Sequence, residues 1–304
     1  MEKKNRIQVQ AVLYRNDQQE LIRGLEALNN AAFEAKKNGI TVSLRWGDST
    51  DAALLSNQKW NMMQAIGSEL EKMEYYPFHE NMGYGRGNNM LAAGVTTDYL
   101  LIMNPEILLP PTGISDMVEV FQDKDAGIAE ARQIPVEHPK AFETDNLETD
   151  WASGACFMIP TLLFHELNGF DAKTFFMYCE DVDLSWRVRM RGKKIIYQPK
   201  TGVFHAKRLS GSGNYQPGKI EQKYTVLSEA LLAYKWSYPE YARDRIRIAS
   251  ERKYPGGQEA ADIFHQLEEN GDLPDFMDPE HRIANIIQFP ETGGMIFAKH
   301  RYPL

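Results

Sequence analysis

Cysteine is nearly absent from this chain: only Cys156 and Cys179 occur in 304 residues. So few exclude a disulfide framework, and their separation matches no metal-ligand spacing. Both lie in apolar runs, which predicts buried free thiols and a reducing compartment. Long apolar runs are missing too. No stretch approaches the roughly 20 residues needed to span a bilayer. The start, Met1-Glu2-Lys3-Lys4-Asn5-Arg6, leads into a short alternating segment rather than a signal-peptide core. The expectation is a cytoplasmic protein, with peripheral membrane contact left open. Positive charge is not in excess either. The formal net charge of -8 argues against a general nucleic-acid binder, because neutralising phosphates needs a basic face. No internal repeat is present.

What remains is ordinary globular composition, 43% hydrophobic and 25% charged, arranged in alternating α/β order. Ile7, Val9, Ala11 and Leu13 alternate with glutamines as a first strand. Asp17 and Glu20 open a helix carrying Leu21, Leu25, Leu28 and Ala32, and Asn38-Gly39 stops it. Ile40, Val42, Leu44 and Trp46 give a second strand. A helix around Trp60 and Met63, a short strand over 74–79 and a helix after Asn81 follow. Tyr99-Leu100-Leu101-Ile102-Met103 reads as a strand buried on both faces. Beyond a helix at 114–121, residues 136–149 read as a polar surface loop. Then come a strand at 154–159, a helix at 160–167, an acidic helix beginning near Asp181 and a last strand at 201–204. Ser210-Gly211-Ser212-Gly213-Asn214 has linker composition. This divides the chain into an α/β domain, 1–208, and a helical extension, 209–304, whose aromatic helices are expected to pack against the first domain, with an acceptor groove, an oligomer surface or a membrane-edge contact as the open alternatives.

Four polar clusters directly follow predicted strands: Asp48 to Asp51, Asn81 to Asn89, Asn104-Pro105-Glu106, and His205. In an open, mostly parallel sheet, ligands bind beyond the carboxyl ends of the strands, so these clusters should converge. Taken alone, each has a plainer reading: Asp48 and Asp51 as turn residues, His205 as an ordinary histidine, Asn104-Pro105-Glu106 as a strand-ending turn. The glycines of Asn81-Met82-Gly83-Tyr84-Gly85-Arg86-Gly87-Asn88 are suited to cradling an anion at a helix start, without the Walker pattern Gly-x-x-x-x-Gly-Lys. Glu106 after a buried strand offers a hard oxygen to a divalent ion. Glu180, Asp181 and Asp183 lie in a first helical turn, where the helix dipole favours ionised carboxylates.

In order and spacing these segments resemble family 2 glycosyltransferases of the GT-A fold, especially the bacterial rhamnosyltransferase-like branch. The resemblance runs over about residues 7–208. It rests on Asp48-Ser49-Thr50-Asp51, Asn81-x-Gly83 with Asn88, Leu101-Ile102-Met103-Asn104-Pro105-Glu106, Trp151-x-Ser153-Gly154-Ala155 and Gly169-Phe170-Asp171. It closes with Phe175-Phe176-Met177-Tyr178-x-Glu180-Asp181-Val182-Asp183-Leu184, Arg187, Gly192 and His205. The resemblance implies a Rossmann-like, mostly parallel sheet flanked by helices, and transfer of a sugar from a dTDP- or UDP-sugar with inversion. The acceptor would be a glycan or a lipid-linked hydroxyl in bacterial surface polysaccharide synthesis.

Carried across, Asp181 is the general base, with Glu180 beside it shaping the pocket. Asp48 or Asp51 reads the base, and Asn81, Gly83, Arg86 and Asn88 line the nucleotide loop. Asn104, Trp151 and Gly154 border the donor sugar, and Lys207 and Arg208 close over the diphosphate. Glu106 and His205 hold Mg²⁺ or Mn²⁺. Two positions depart from the family pattern. Asn104 and Glu106 replace the usual pair of aspartates, and Trp46-Gly47 stands where many relatives carry Asp-Asn. The competing readings are a catalytically silent sugar-nucleotide-binding or scaffold protein and a nucleotidyltransferase. The second lacks a glycine-rich, basic signature after the first strand.

Overall fold

A computed structural model describes residues 5–206 and 218–301. In chain order the elements are β1 (Arg6–Leu13), α1 (Gln18–Lys37), β2 (Thr41–Asp48), α2 (Asn57–Ile66), β3 (Lys72–Pro77), α3 (Gly83–Ala92), β4 (Tyr99–Met103) and α4 (Gly113–Val120). Then follow β5 (Ala126–Ile134), β6 (Glu148–Thr149), β7 (Cys156–Pro160), α5 (Thr161–Glu166), α6 (Glu180–Met190) and β8 (Lys194–Phe204). The last segment holds α7 (Lys219–Lys235), α8 (Pro239–Glu251), α9 (Gly257–Asn270) and a small hairpin, β9 (Ile287–Gln288) with β10 (Met295–Ile296). Among the described residues no helix is long and apolar enough to cross a membrane.

Eight strands form one sheet in the order β3-β2-β1-β4-β7-β5-β8-β6. β3, β2, β1 and β4 run parallel. β7 is antiparallel to both β4 and β5, and β5 is parallel to β8. It follows that β5 and β8 point the same way as β4. The carboxyl ends of β2, β3, β4, β5 and β8 therefore share one rim, and all four polar clusters stand on it.

Each face of the sheet is covered. Leu21, Leu25 and Leu28 of α1 and Met117 of α4 pack on one side; Phe157, Phe164, Leu184 and Val188 build the core on the other. Two strand assignments change. β5 was not anticipated, because Ala126, Gly127, Ala129 and Ala131 lack the β-branched character that marks a strand. The last strand begins at Lys194, not Thr201. Its ladder shifts register where Ala131 faces Gln198 but Arg132 faces Gly202. Pro199 lies inside that shift, and a proline cannot donate to the ladder, so a bulge interrupts the sequence pattern.

The α7–α9 segment packs directly on α6. Trp236 and Trp186 are both fully buried, with ring centroids 5.1 Å apart, edge to face. Asp183 on α6, expected to serve only helix-start electrostatics, instead ties the two segments together. It accepts from Arg187 Nε at 2.7 Å, Lys235 Nζ at 2.6 Å and Trp236 Nε1 at 3.1 Å. The tyrosines at 224, 234, 238 and 241 are partly buried against the same core.

Candidate active site

β4 is held between β1 and β7, and after Met103 it drops into Asn104-Pro105-Glu106. Asn104 N–H donates to Ala155 O at 2.9 Å, which fixes the turn to the β7 side of the rim. β8 delivers His205, whose N–H donates to Ile134 O at 2.8 Å. Glu106 Oε1 stands 3.2 Å and the Asn104 amide nitrogen 3.3 Å from His205 Nε2. His205 Nδ1 lies 3.1 Å from Gln133 Oε1. That oxygen can only accept, so Nδ1 carries a proton, and Nε2, the nitrogen through which an imidazole would bind a metal, is the one turned toward Glu106.

A carboxylate oxygen and an imidazole nitrogen facing each other suit a shared cation. Among the described residues no group of three or more His, Cys, Asp or Glu could hold a metal. A carboxylate and an imidazole alone fit Mg²⁺ or Mn²⁺, which take much of their coordination from substrate phosphates and water.

The Asn104-Pro105-Glu106 turn rests on α1. A Cβ at Gly24 would collide with the Pro105 carbonyl oxygen. Replacing a helical glycine by alanine ordinarily gains about 1 kcal/mol, but overpacking costs about 1–3 kcal/mol. Gly24→Ala is therefore expected to leave stability no better than the parent and to weaken Mn²⁺ binding by moving Glu106. Chemical denaturation alongside metal titration checks this; a stabilised variant with parental Mn²⁺ affinity would show that the turn does not depend on Gly24.

The acid pair begins α6. Tyr178 and Cys179 precede it at φ 68° and 63°, two successive left-handed residues without a glycine, a conformation that stores strain. Asp181 Oδ2 accepts the Gly154 N–H at 2.7 Å and Oδ1 the Val182 N–H at 2.8 Å. Ser185 Oγ bridges Asp181 O at 2.7 Å and Ala152 N at 3.0 Å. The 151–155 segment is thus fastened to the first turn of α6.

Glu180 is 5% exposed, and its Oε2 has no hydrogen-bond partner. Burial raises both carboxyls: Glu180 goes well above the usual range, with the charge of Asp181 adding to the effect. Asp181 is also raised by burial, but the Gly154 and Val182 amides and Lys140 oppose this. The helix dipole therefore does not by itself keep Asp181 ionised, as the sequence had suggested. The difference comes from environment: Glu180, whose Oε2 has no donor, is pushed further up than Asp181, which has two amide donors, so Asp181 is the more readily ionised of the two.

Tyr84, not anticipated, lies close to this pair and within the electrostatic reach of Glu106. Its hydroxyl donates to Gly154 O. Burial first, then the nearby Glu180, Asp181, Cys156 and Glu106, push its pKa well above the ordinary value. Its position between Gly83 and Gly85 in a strand-end loop was the available signal.

Several expected contacts are arranged differently. Asp48 is fully buried and accepts from Thr50 N at 2.9 Å, Leu54 N at 2.6 Å and the Tyr75 hydroxyl. Burial and that carboxylate push the Tyr75 hydroxyl up to about 12. Asp48 is therefore the organiser of the loop after β2, and Asp51 is the carboxylate of that cluster left exposed. Asn88 is also fully buried, held by the Gln10 amide at 3.0 Å and bonded to Tyr84 O at 3.1 Å, so it supports the loop from beneath.

Two amides expected to help cradle an anion at the start of α3 already have partners. Gly83 N–H is taken by Asn81 Oδ1 at 3.1 Å and Tyr84 N–H by Phe176 O at 3.3 Å. Gly83, at φ 67°, leaves no room for a Cβ against Phe176 O. Asn81 and Arg86 are exposed, the latter 3.4 Å from Glu80. Trp151 is buried, with no partner for its indole N–H. Both cysteines are free and buried. Lys207 and Arg208 lie outside the described residues.

No protein-family model matches the chain. It is 26% identical over 161 residues to the rhamnosyltransferase WbbL of Escherichia coli, covering 41% of this chain and 60% of that protein. It is 25% identical over 194 residues to the N-acetylglucosaminyl-diphospho-decaprenol L-rhamnosyltransferase of Mycobacterium tuberculosis, covering 48% and 63%. The matches thus span less than two thirds of either relative. In three dimensions it is similar to a mannosyltransferase of Pyrobaculum calidifontis in complex with GDP-Man and Mn²⁺, with TM-score 0.57, 15% identity and coverage of 89% of this chain and 81% of that one. It is also similar to GalNAc-T7 with UDP, GalNAc and Mn²⁺, with TM-score 0.61, 14% identity and coverage of 92% and 57%. The chain has the GT-A fold, and part of its sequence is similar to two rhamnosyltransferases.

Proposed function

We propose that this GT-A, family 2-like chain is an inverting glycosyltransferase that moves a sugar, rhamnose or galactofuranose by preference, from a dTDP- or UDP-sugar to a hydroxyl of a glycan or lipid-linked acceptor. The observation that carries the reading is one rim of the sheet. Near it the amide-bound carboxylate of Asp181 and Glu106, which faces His205 at 3.2 Å, both act on the Tyr84 hydroxyl. The naming of the sequence relatives as rhamnosyltransferases supports the choice of sugar.

An acceptor hydroxyl is a poor nucleophile until its proton is taken as attack proceeds. Asp181 takes that proton. Glu180, protonated, lends a hydrogen bond to an oxygen in the pocket and cannot act as a second nucleophile. A single displacement follows, and with it inversion. Glu106 and His205 would hold a divalent cation, which when bound stabilises charge on the leaving diphosphate.

The test is incubation of the protein with dTDP- and UDP-sugars, a lipid-diphosphate-linked sugar acceptor and Mn²⁺, with the anomeric configuration of the product read by NMR. Donor binding without transfer to any acceptor would instead identify a silent sugar-nucleotide-binding protein. Glu106→Gln and His205→Ala are each expected to weaken Mn²⁺ binding and lower turnover at least about tenfold. Parental metal dependence in both variants would remove this pair as the metal site.

A further inference from the structure

The 136–149 segment is exposed or half-exposed along most of its length, as its polar composition suggests, but not at residue 140. It carries Lys140, which forms a buried ion pair with Glu130 of β5; the two side chains are 6% and 4% exposed. Glu130 Oε1 accepts the Ser153 N–H at 2.9 Å, one residue before the Gly154 amide that reaches Asp181 at 2.7 Å. The Lys140 ammonium lies 5.1 Å over the Trp151 ring. The far end of the chain holds the loop from outside. Ala141 N donates to Lys299 O and Arg301 N to Pro139 O, both at 2.7 Å, and the Arg301 guanidinium pairs with Glu137 at 3.0 Å. Stability alone does not explain such a pair, since buried ion pairs seldom outperform apolar replacements.

We propose that Lys140 and Glu130 are positioning residues for the acceptor-activating carboxylate. Glu130 fixes Ser153 so that the Gly154 amide faces Asp181, and Lys140 supplies the positive charge that keeps Asp181 ionised in a buried corner. The turnover part of this proposal rests on the sugar-transfer reading; the titration part does not.

The groups around Asp181 make the need plain. Tyr84 approaches from α3, Cys156 lies on β7, Cys179 precedes α6, Glu180 and Asp183 lie in its first turn, and Glu106 acts on Tyr84 from the end of β4. Each is neutral or negative. Glu229 of α7 acts on Cys179 from the other side and is itself paired with Arg245 at 2.6 Å. Against burial and these neighbours, Lys140 is, among the described residues, a cation that lowers the pKa of Asp181.

The experiment is a pH titration of the full chain labelled with ¹³C at the aspartate carboxyls, the Asp181 resonance being assigned by its loss in Asp181→Asn. In the double variant Lys140→Met, Glu130→Gln, the glutamine still accepts from Ser153 while both charges are gone. The Asp181 midpoint is expected to rise by about one pH unit or more, and Lys140→Arg to restore it. The acid limb of kcat/KM should move by the same amount, with the donor KM unchanged. An unmoved midpoint overturns the proposal. If the double variant does not fold, Glu130→Gln alone leaves Lys140 uncompensated and should lower the midpoint; a midpoint unmoved or raised there overturns it equally. Absence of turnover in the parent with every donor would sink the sugar-transfer reading while leaving the titration to decide this one.

Discussion

Asp181→Asn is expected to lower kcat by about 10²–10⁴-fold while donor affinity stays within about twofold of the parent. The substitution isolates one property. Asparagine has the same size and its Oδ1 can still accept the Gly154 N–H that the parent holds at 2.7 Å, so the 151–155 segment keeps its place. What is lost is the lone pair basic enough to take a hydroxyl proton. Glu180→Gln provides the contrast. If Glu180 works as a neutral acid, an amide of the same shape replaces it with a loss of less than about tenfold, well short of a missing base. Single-turnover rates with saturating donor, paired with calorimetry, read both effects. Parental turnover in Asp181→Asn, or a greater loss in Glu180→Gln, would move the base from Asp181 to Glu180.

The rim was legible because it depends on coarse properties. A buried apolar run ending in Asn104-Pro105-Glu106, and an alternating strand ending at Asp48, are visible in periodicity alone. Once the strands run parallel, their ends must meet. What the side chains do there was less legible. Asp48 and Asn88 carry the residue types expected to touch a nucleotide, yet both are fully buried and bonded to their own loops. Sequence gives a polar residue after a strand; it does not say whether the backbone claims that residue first. The glycines around Tyr84 were ambiguous for a related reason, since close packing against Phe176 and anion binding select the same residue. Lys140 was hidden in another way. Its partners, Glu130 and residues 299–301, lie far along the chain, and a charged residue in a polar stretch reads as solvated until the fold buries it.

Asp183→Ala is expected to destabilise the whole chain by about 3–5 kcal/mol, the range for removing one member of a buried ion pair. Asp183 is 0% exposed, and three donors converge on it. Arg187 would keep two carbonyl partners, Leu167 O and Gly169 O, each at 2.8 Å. Lys235 would keep only Asp171 at 2.8 Å in a site where its side chain is 8% exposed, and the Trp236 N–H would have no acceptor. Asp183→Asn should fall between variant and parent, because it can still accept from Trp236 while losing the charge that Lys235 requires. The position of Asp183 sets the form of the transition as well as its size. It stands two residues from Asp181 on the same helix, while Lys235 and Trp236 close α7, so melting of the C-terminal helices cannot leave the acid pair in place. Tryptophan fluorescence, to which all five tryptophans contribute, the buried Trp186–Trp236 pair among them, and far-ultraviolet circular dichroism should therefore give one coincident denaturation curve in the parent, shifted as a unit in Asp183→Ala. Two separated transitions, with the second unmoved by the substitution, would instead make residues 209–304 an independent appendage and leave Asp181 supported by the sheet alone.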